Sequence, residues 1–163
     1  MRHSWFAASI LIAALPAHAQ DATYTARFMQ LEIAVHAAQA ALENCRKAGY
    51  QVAVAVVDRS GIAQVLLRDR YAGAHTTDMA LDKAWTAVSF RTSTAAIADA
   101  TEPGKPLSAL RTRPRVVAVA GGLTIEAAGA LVGGIGVSGA PGGERDEACA
   151  RAGVAAVQQQ LDF

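Results

Sequence analysis

Imidazoles and thiols, the side chains that ligate soft or borderline metals, are few in this sequence: histidines stand at positions 3, 18, 36 and 75, and the only cysteines are Cys45 and Cys149. His36, His75, Cys45 and Cys149 show neither C-x-x-C nor H-x-x-x-H spacing, so a closed tetrahedral metal site would need all four to converge from distant segments. His75 follows the glycine-containing stretch Tyr71 to Ala74 and precedes Thr76, Thr77 and Asp78, residue types that open a helix. An imidazole there stands at the positive end of a helix dipole, which favours the neutral ring that can ligate a metal or accept a hydrogen bond. It reads either as that kind of group or as a loop histidine bonded to backbone. His36 lies among alanines and aliphatic residues, and reads as a packed and satisfied helix histidine or, with His75, as one of two histidines available for chemistry. Lys83 and Arg91 read as solvated helix charges or as a grip on a carboxylate.

Two glycine motifs invite a stronger reading. Gly134, Gly136 and Gly139 match G-x-G-x-x-G, but the dinucleotide fingerprint needs a βαβ unit with an acidic residue about 20 positions further on, and only a terminal helix follows here. Gly136 to Ala140 approximates the elbow that presents a nucleophilic serine, here Ser138, but its last glycine is missing. These glycines read better as a crowded strand and its exit, where another backbone or a flat ligand comes close.

The elements that must position these residues follow from periodicity. Apolar residues at Phe28, Leu31, Val35, Ala38, Leu42 and Cys45 predict a helix from Tyr24 to Lys47, with a second apolar line at Met29, Ile33, His36 and Ala40. Gln51 to Asp58 and Ile62 to Asp69, separated by Arg59, Ser60 and Gly61, predict a hairpin. A helix opening at Thr76 or Thr77 should end near Phe90 to Thr92, and Ser93 or Thr94 should cap a shorter one. Glu102 to Pro114 is proline-punctuated loop with a turn of helix. Val116 to Ala120, Leu123 to Glu126 and Ala130 to Ser138 read as three more strands, followed by a helix from Gly143 to Gln159. The predicted fold class is α+β: a single antiparallel five-stranded sheet with helices packed on it, in the order α-β-β-α-α-β-β-β-α.

Residues 1–19 read as a signal peptide. Arg2 and His3 precede an apolar run from Trp5 to Leu15, and Ala17-His18-Ala19 supplies an A-x-A cleavage site. The run is shorter than the roughly 20 residues a membrane-spanning helix needs, so stable membrane insertion is not expected. Cleavage removes one arginine and two histidines, leaving fourteen basic and fourteen acidic side chains in a single domain, 20–163, periplasmic or secreted. That balance, without basic clusters, speaks against nucleic acid as a partner. In an exported chain, two cysteines form a disulfide candidate, the alternative being two separate buried thiols.

Three stretches carry a family resemblance: Ala72 to Thr94 (AGAHTTDMALDKAWTAVSFRTST), Val54 to Gly61 (VAVVDRSG) and Gly133 to Gly139 (GGIGVSG). Together they resemble the GlcG/HbpS-like family over nearly all of 20–163. The resemblance implies a profilin-like sheet and assembly into tetramers or octamers. It also implies kinship with exported haem-binding proteins and with a haem- or corrinoid-binding domain attached to a cobalamin adenosyltransferase. By motif position, His75 with Lys83, Phe90, Arg91 and Thr94 would form the pocket, and a first-helix histidine that serves as ligand in some relatives points to His36. With no C-x-x-C-H, haem would be held non-covalently. If the family sheet sets the first and last strands side by side and antiparallel, Cys45 and Cys149 come to the same end of it, and a bridge between them is expected. A haem or tetrapyrrole carrier is the leading expectation. The alternatives are an enzyme acting on a small carboxylate, with His75 as base and Arg91 as clamp, and an accessory subunit. A homo-oligomer is expected because the second apolar line of the first helix needs cover.

Overall fold

The computed structural model describes residues 22–162, and the expected signal peptide lies outside the described residues. Helix α1 (Leu31–Lys47) buries Ala34, Ala37, Ala38, Ala41, Leu42 and Cys45, with Glu32 in its first turn and Arg46 and Lys47 in its last, each matching the dipole. It closes at Gly49, whose φ of 81° suits a residue without Cβ, while Tyr50 N–H donates to the Cys45 carbonyl. The helix starts at Leu31, not at the predicted Tyr24. Tyr24 and Phe28 are exposed, so a turn there would bury no apolar face, and helix stability comes mostly from such burial. The late start breaks the predicted phase. Phe28 and Leu31 are about half exposed instead of sitting in the buried stripe, while Met29 is in the core and not on a second face.

Strands β1 (Ala53–Asp58) and β2 (Ala63–Arg68) form the predicted hairpin. Asp58 Oδ1 accepts from Ser60 N–H and Ile62 N–H, and Gly61 takes φ 80° at the turn. Helix α2 (Thr76–Phe90) follows. Arg91 ends it in the left-handed region, and Ser93 caps the short α3 (Thr94–Ala100) by accepting from Ala96 N–H. A 3-10 turn at Ser108–Thr112 punctuates the proline-rich loop before β3 (Gly122–Ala127), β4 (Ala130–Ser138) and α4 (Gly143–Leu161).

The sheet has four strands, not five, in the order β2-β1-β4-β3, with every neighbour antiparallel. The predicted strand at Val116 to Ala120 does not form, so the element order is α-β-β-α-α-β-β-α apart from the 3-10 turn. That segment is tied to α2 by a side chain instead of a ladder. Thr86 Oγ1 accepts from Val117 N–H at 3.1 Å and donates to the Arg115 carbonyl at 3.0 Å. Arg115 itself takes φ 69°, which no strand residue adopts.

Alternation along β1 sends side chains to two helical layers. Val52, Val54 and Val56 join α1 and α4 in the main core, with Ile135 and Val137 of β4. Ala53, Ala55 and Val57 face α2, where they meet Ala80, Ala84 and Val88. Since β1 and β4 run antiparallel side by side, with Ala53 opposite Ser138, the end of α1 and the start of α4 stand over the same end of the sheet. Cys45 and Cys149 meet there in a disulfide, Cα to Cα 5.5 Å, and both are buried. The expected bridge is present.

Candidate functional site

Glycines fix how closely α2 approaches the sheet. A Cβ on Gly136 would lie 2.1 Å from the Ala80 carbonyl oxygen, and one on Gly134 would lie 2.6 Å from a methyl of Val88. The G-x-G pair therefore admits the backbone of α2, the crowded-strand reading of the motif. A Cβ on Gly122 would likewise meet the Lys83 carbonyl at 2.4 Å. Pressed this close, Lys83 has its side chain between helix and sheet, only 2% exposed.

The Lys83 ammonium donates to the Val137 carbonyl at 2.9 Å and to Asp146 Oδ2 at 2.7 Å. Asp146, in the first turn of α4, accepts from Ala140 N–H through Oδ1 at 2.9 Å. Burial pushes the Asp146 carboxyl above its ordinary value of 3.8, while Lys83 and the amides of Ala140 and Gly139 pull the other way. The ion pair crosses from α2 to α4 past the end of β4, so it joins the two helical layers on opposite faces of the sheet.

Over this pair opens a cleft of about 540 Å³, with Lys83, Asp146 and Ser138 in its lining. His75, the residue before α2, lies in its wall with Tyr71 and Met79. The ring of His75 packs on Gly73, where a Cβ would come within 2.8 Å of it, and His75 is exposed with no side-chain hydrogen bond among the described residues. Tyr50 forms part of the opposite rim, and Arg145 donates to its hydroxyl at 2.8 Å.

Of the residues expected to form one pocket, His75 and Lys83 share this cleft. Phe90 and Arg91 stand at the other end of α2, about 24 Å away at 1.5 Å per residue. Thr94 is buried and accepts from Gly122 N–H through its hydroxyl at 2.8 Å, tying α3 to β3. His36 is exposed on α1, in the layer across the sheet from α2, so one chain does not bring the two histidines together. Lys83, expected near a carboxylate, already holds one from its own chain. Asp146 went unnoticed in the sequence. The signal was an acidic residue in the first turn of a helix that directly follows the glycine-rich exit of the last strand.

With this geometry in view, comparison with known proteins is informative. The family described as "Haem degrading protein HbpS-like" matches residues 29–155. A doubly substituted HbpS from Streptomyces reticuli is 42% identical, with a TM-score of 0.77 over 88% of this chain and 97% of that one. A structure of PduOC in complex with haem is 30% identical, with a TM-score of 0.75 over 80% of this chain and 95% of that one. The corrinoid adenosyltransferase PduO of Salmonella typhimurium is 33% identical over 150 residues, 90% of this chain and 44% of that protein. The chain thus spans less than half the length of that curated relative. The family model covers both the helix that carries His75 and Lys83 and the turn that carries Asp146. The chain belongs to the HbpS-like haem degrading protein family.

Proposed function

We propose that this protein is an exported homo-oligomer, a tetramer or octamer, that holds haem or a related tetrapyrrole non-covalently, with His75 as the iron ligand. The observation that carries the reading is His75, exposed and unpartnered on a cleft, in a chain similar to one solved in complex with haem. The residues present fit the group. A volume of about 540 Å³ is within the range of small-molecule sites, and Tyr50, Tyr71, Met79 and Val119 give it apolar and aromatic surface. His75 would hold the group through its imidazole, and bound haem would supply a redox-active iron. Arg145, bonded to the hydroxyl of the lining residue Tyr50, is a cation beside the cleft that would meet a propionate, whereas Arg91 is distant.

Export to the periplasm or beyond is supported by the leader at 1–19 and by the disulfide, which persists in oxidising compartments. Among the described residues no helix is long and apolar enough to cross a membrane. Assembly is supported by two exposed apolar side chains, Phe28 at 55% just before α1 and Leu31 at 52% at its first residue. Sedimentation should give a single oligomeric species at micromolar concentration, and a monomer throughout would remove that part of the reading.

Haemin titration followed at the Soret band tests the carrier function. The wild type should show a saturable shift, retained in His36→Ala and at least about tenfold weaker in His75→Ala. Identical behaviour of all three would mean adsorption to the surface and would overturn the proposal. Loss in His36→Ala alone would move the iron to the other face of the sheet.

A further inference from the structure

We infer that the floor of the cleft is a second recognition element, a site for one small carboxylate group held by Lys83, Ser138 and the first turn of α4. The assignment goes beyond haem carriage and stands whether or not haem is the cargo.

Uncommitted donors make the case. An ammonium has three protons to donate, and Lys83 has two acceptors, the Val137 carbonyl and Asp146. Its side chain is nearly fully buried, yet it lines the cleft, so the third proton has only the cleft in which to find an acceptor. Ser138 lies next to Val137 on β4, is 6% exposed, lines the same cleft, and its hydroxyl has no hydrogen-bond partner among the described residues. Gly143 lines it too, at the start of α4, where the first backbone N–H groups have no partner within the helix. The Ser138 hydroxyl, without a protein partner, is open to the cleft, where a ligand oxygen can meet it together with the Lys83 ammonium.

The same inventory fixes the sign of the ligand. Asp146 is the carboxylate of the floor, and its two oxygens already accept from Lys83 and from the amides of Ala140 and Gly139. What the floor has left to offer is donors, which select an acceptor over a cation. Charge fixes its size. Asp146 already balances Lys83, so a single negative charge spread over two oxygens can be stabilised by the dipole and by neutral donors, whereas a dianion would stand in a site with no net cation. Arg145, bonded to the hydroxyl of the lining residue Tyr50, adds positive charge beside the cleft. A small monocarboxylic acid and a carboxylate arm of a larger ligand share this chemistry.

The test is a titration of the protein with sodium acetate and with sodium lactate at constant ionic strength, followed by amide chemical shifts. Saturable shifts at Ser138, Gly139 and Gly143, absent with sodium chloride, are expected. Ser138→Ala should weaken binding about fivefold, the worth of one hydrogen bond, and Lys83→Met should abolish it. Should Lys83→Met fail to fold, Ser138→Ala decides alone, and unchanged affinity in that variant overturns the site. Haemin and its dimethyl ester separate the sources. Competition with acetate by haemin but not by the ester identifies a propionate as occupant, and acetate binding indifferent to haemin identifies a free acid. Both outcomes require the site. A Soret shift with no response to acetate or lactate, and equal binding of haemin and its ester, would leave haem carriage intact and eliminate the carboxylate site.

Discussion

On the side of the sheet covered by α1 and α4, Val52, Val54, Val56, Ile135 and Val137 meet Leu42, Val157 and the disulfide. On the side covered by α2, Ala53 and Ala55 meet Ala80, and Gly134 and Gly136 replace side chains altogether. The buried polar residues of α2 and its flank, Thr76, Lys83, Thr86 and Thr94, all belong to the second side. The contrast teaches why the chemistry is there. On the first side the buried acids, Asp69 and Glu147, pair with the exposed guanidinium groups of Arg46 and Arg151, and large aliphatic residues fill the space between helix and sheet. Small ones bring the helix backbone onto the strands, so that a lysine on α2 reaches the carbonyl of Val137 and the carboxylate of Asp146. The first side is a core that holds the fold, and the second positions the cleft.

The largest expected effect lies on the first side. Removing the disulfide as Cys45→Ala with Cys149→Ala frees a loop of 104 residues, and the chain-entropy model puts the cost at about 5 kcal/mol of stability. Denaturant unfolding measures it, and ligand binding by the folded fraction should be unchanged. Binding lost along with the disulfide would mean that the two sides are not separable.

Next comes the ion pair. Lys83→Met leaves Asp146 buried without its cation and should cost about 3 kcal/mol, whereas Lys83→Met with Asp146→Leu should recover most of that loss, since the desolvation of both charges goes with them. A double variant no more stable than the single one would show that the pair is tied into the fold more widely than its two partners.

A smaller effect distinguishes the packing of the two sides directly. Gly136→Ala adds a methyl 2.1 Å from the Ala80 carbonyl oxygen, closer than any helix shift of a few tenths of an ångström relieves, and should cost about 2 kcal/mol. If thermal unfolding shows no loss, α2 is not held against the sheet as described.

The smallest is a pH effect. Because burial holds the Asp146 carboxyl above its ordinary value, its contribution favours the folded state below that value and is lost as pH rises through the folded-state value. The wild type should therefore lose stability relative to Asp146→Asn as pH is raised from about 4. Paired unfolding curves across pH decide it, and a difference that moves the other way would contradict the assigned cause.

The hairpin, α2, the terminal helix and the crowding at Gly134 and Gly136 were legible in the sequence, because local alternation, caps and glycine spacing specify them. Val116 to Ala120 was not. An apolar run of that composition suits a strand, and what prevents one is the hydroxyl of Thr86, some 30 residues away, bonded to Val117 and Arg115. The start of α1 misled because the spacing of Phe28 continues the helical period past Leu31, where Tyr24 and Phe28 are exposed and bury no face. The pocket inferred from the Ala72 to Thr94 signature was legible only in part, since one helix carries His75 and Arg91 at opposite ends. Lys83 was visible, but its partner Asp146 is 63 residues further along, and no local pattern links them.

The central claim is that ligand chemistry belongs to the α2 side of the sheet. Ferric haemin broadens nearby amide signals, so an amide spectrum recorded with substoichiometric haemin locates it. The account predicts broadening of residues 71–79 and 138–143, with residues 33–40 around His36 left sharp. Broadening centred on 33–40, with the cleft unaffected, would contradict it.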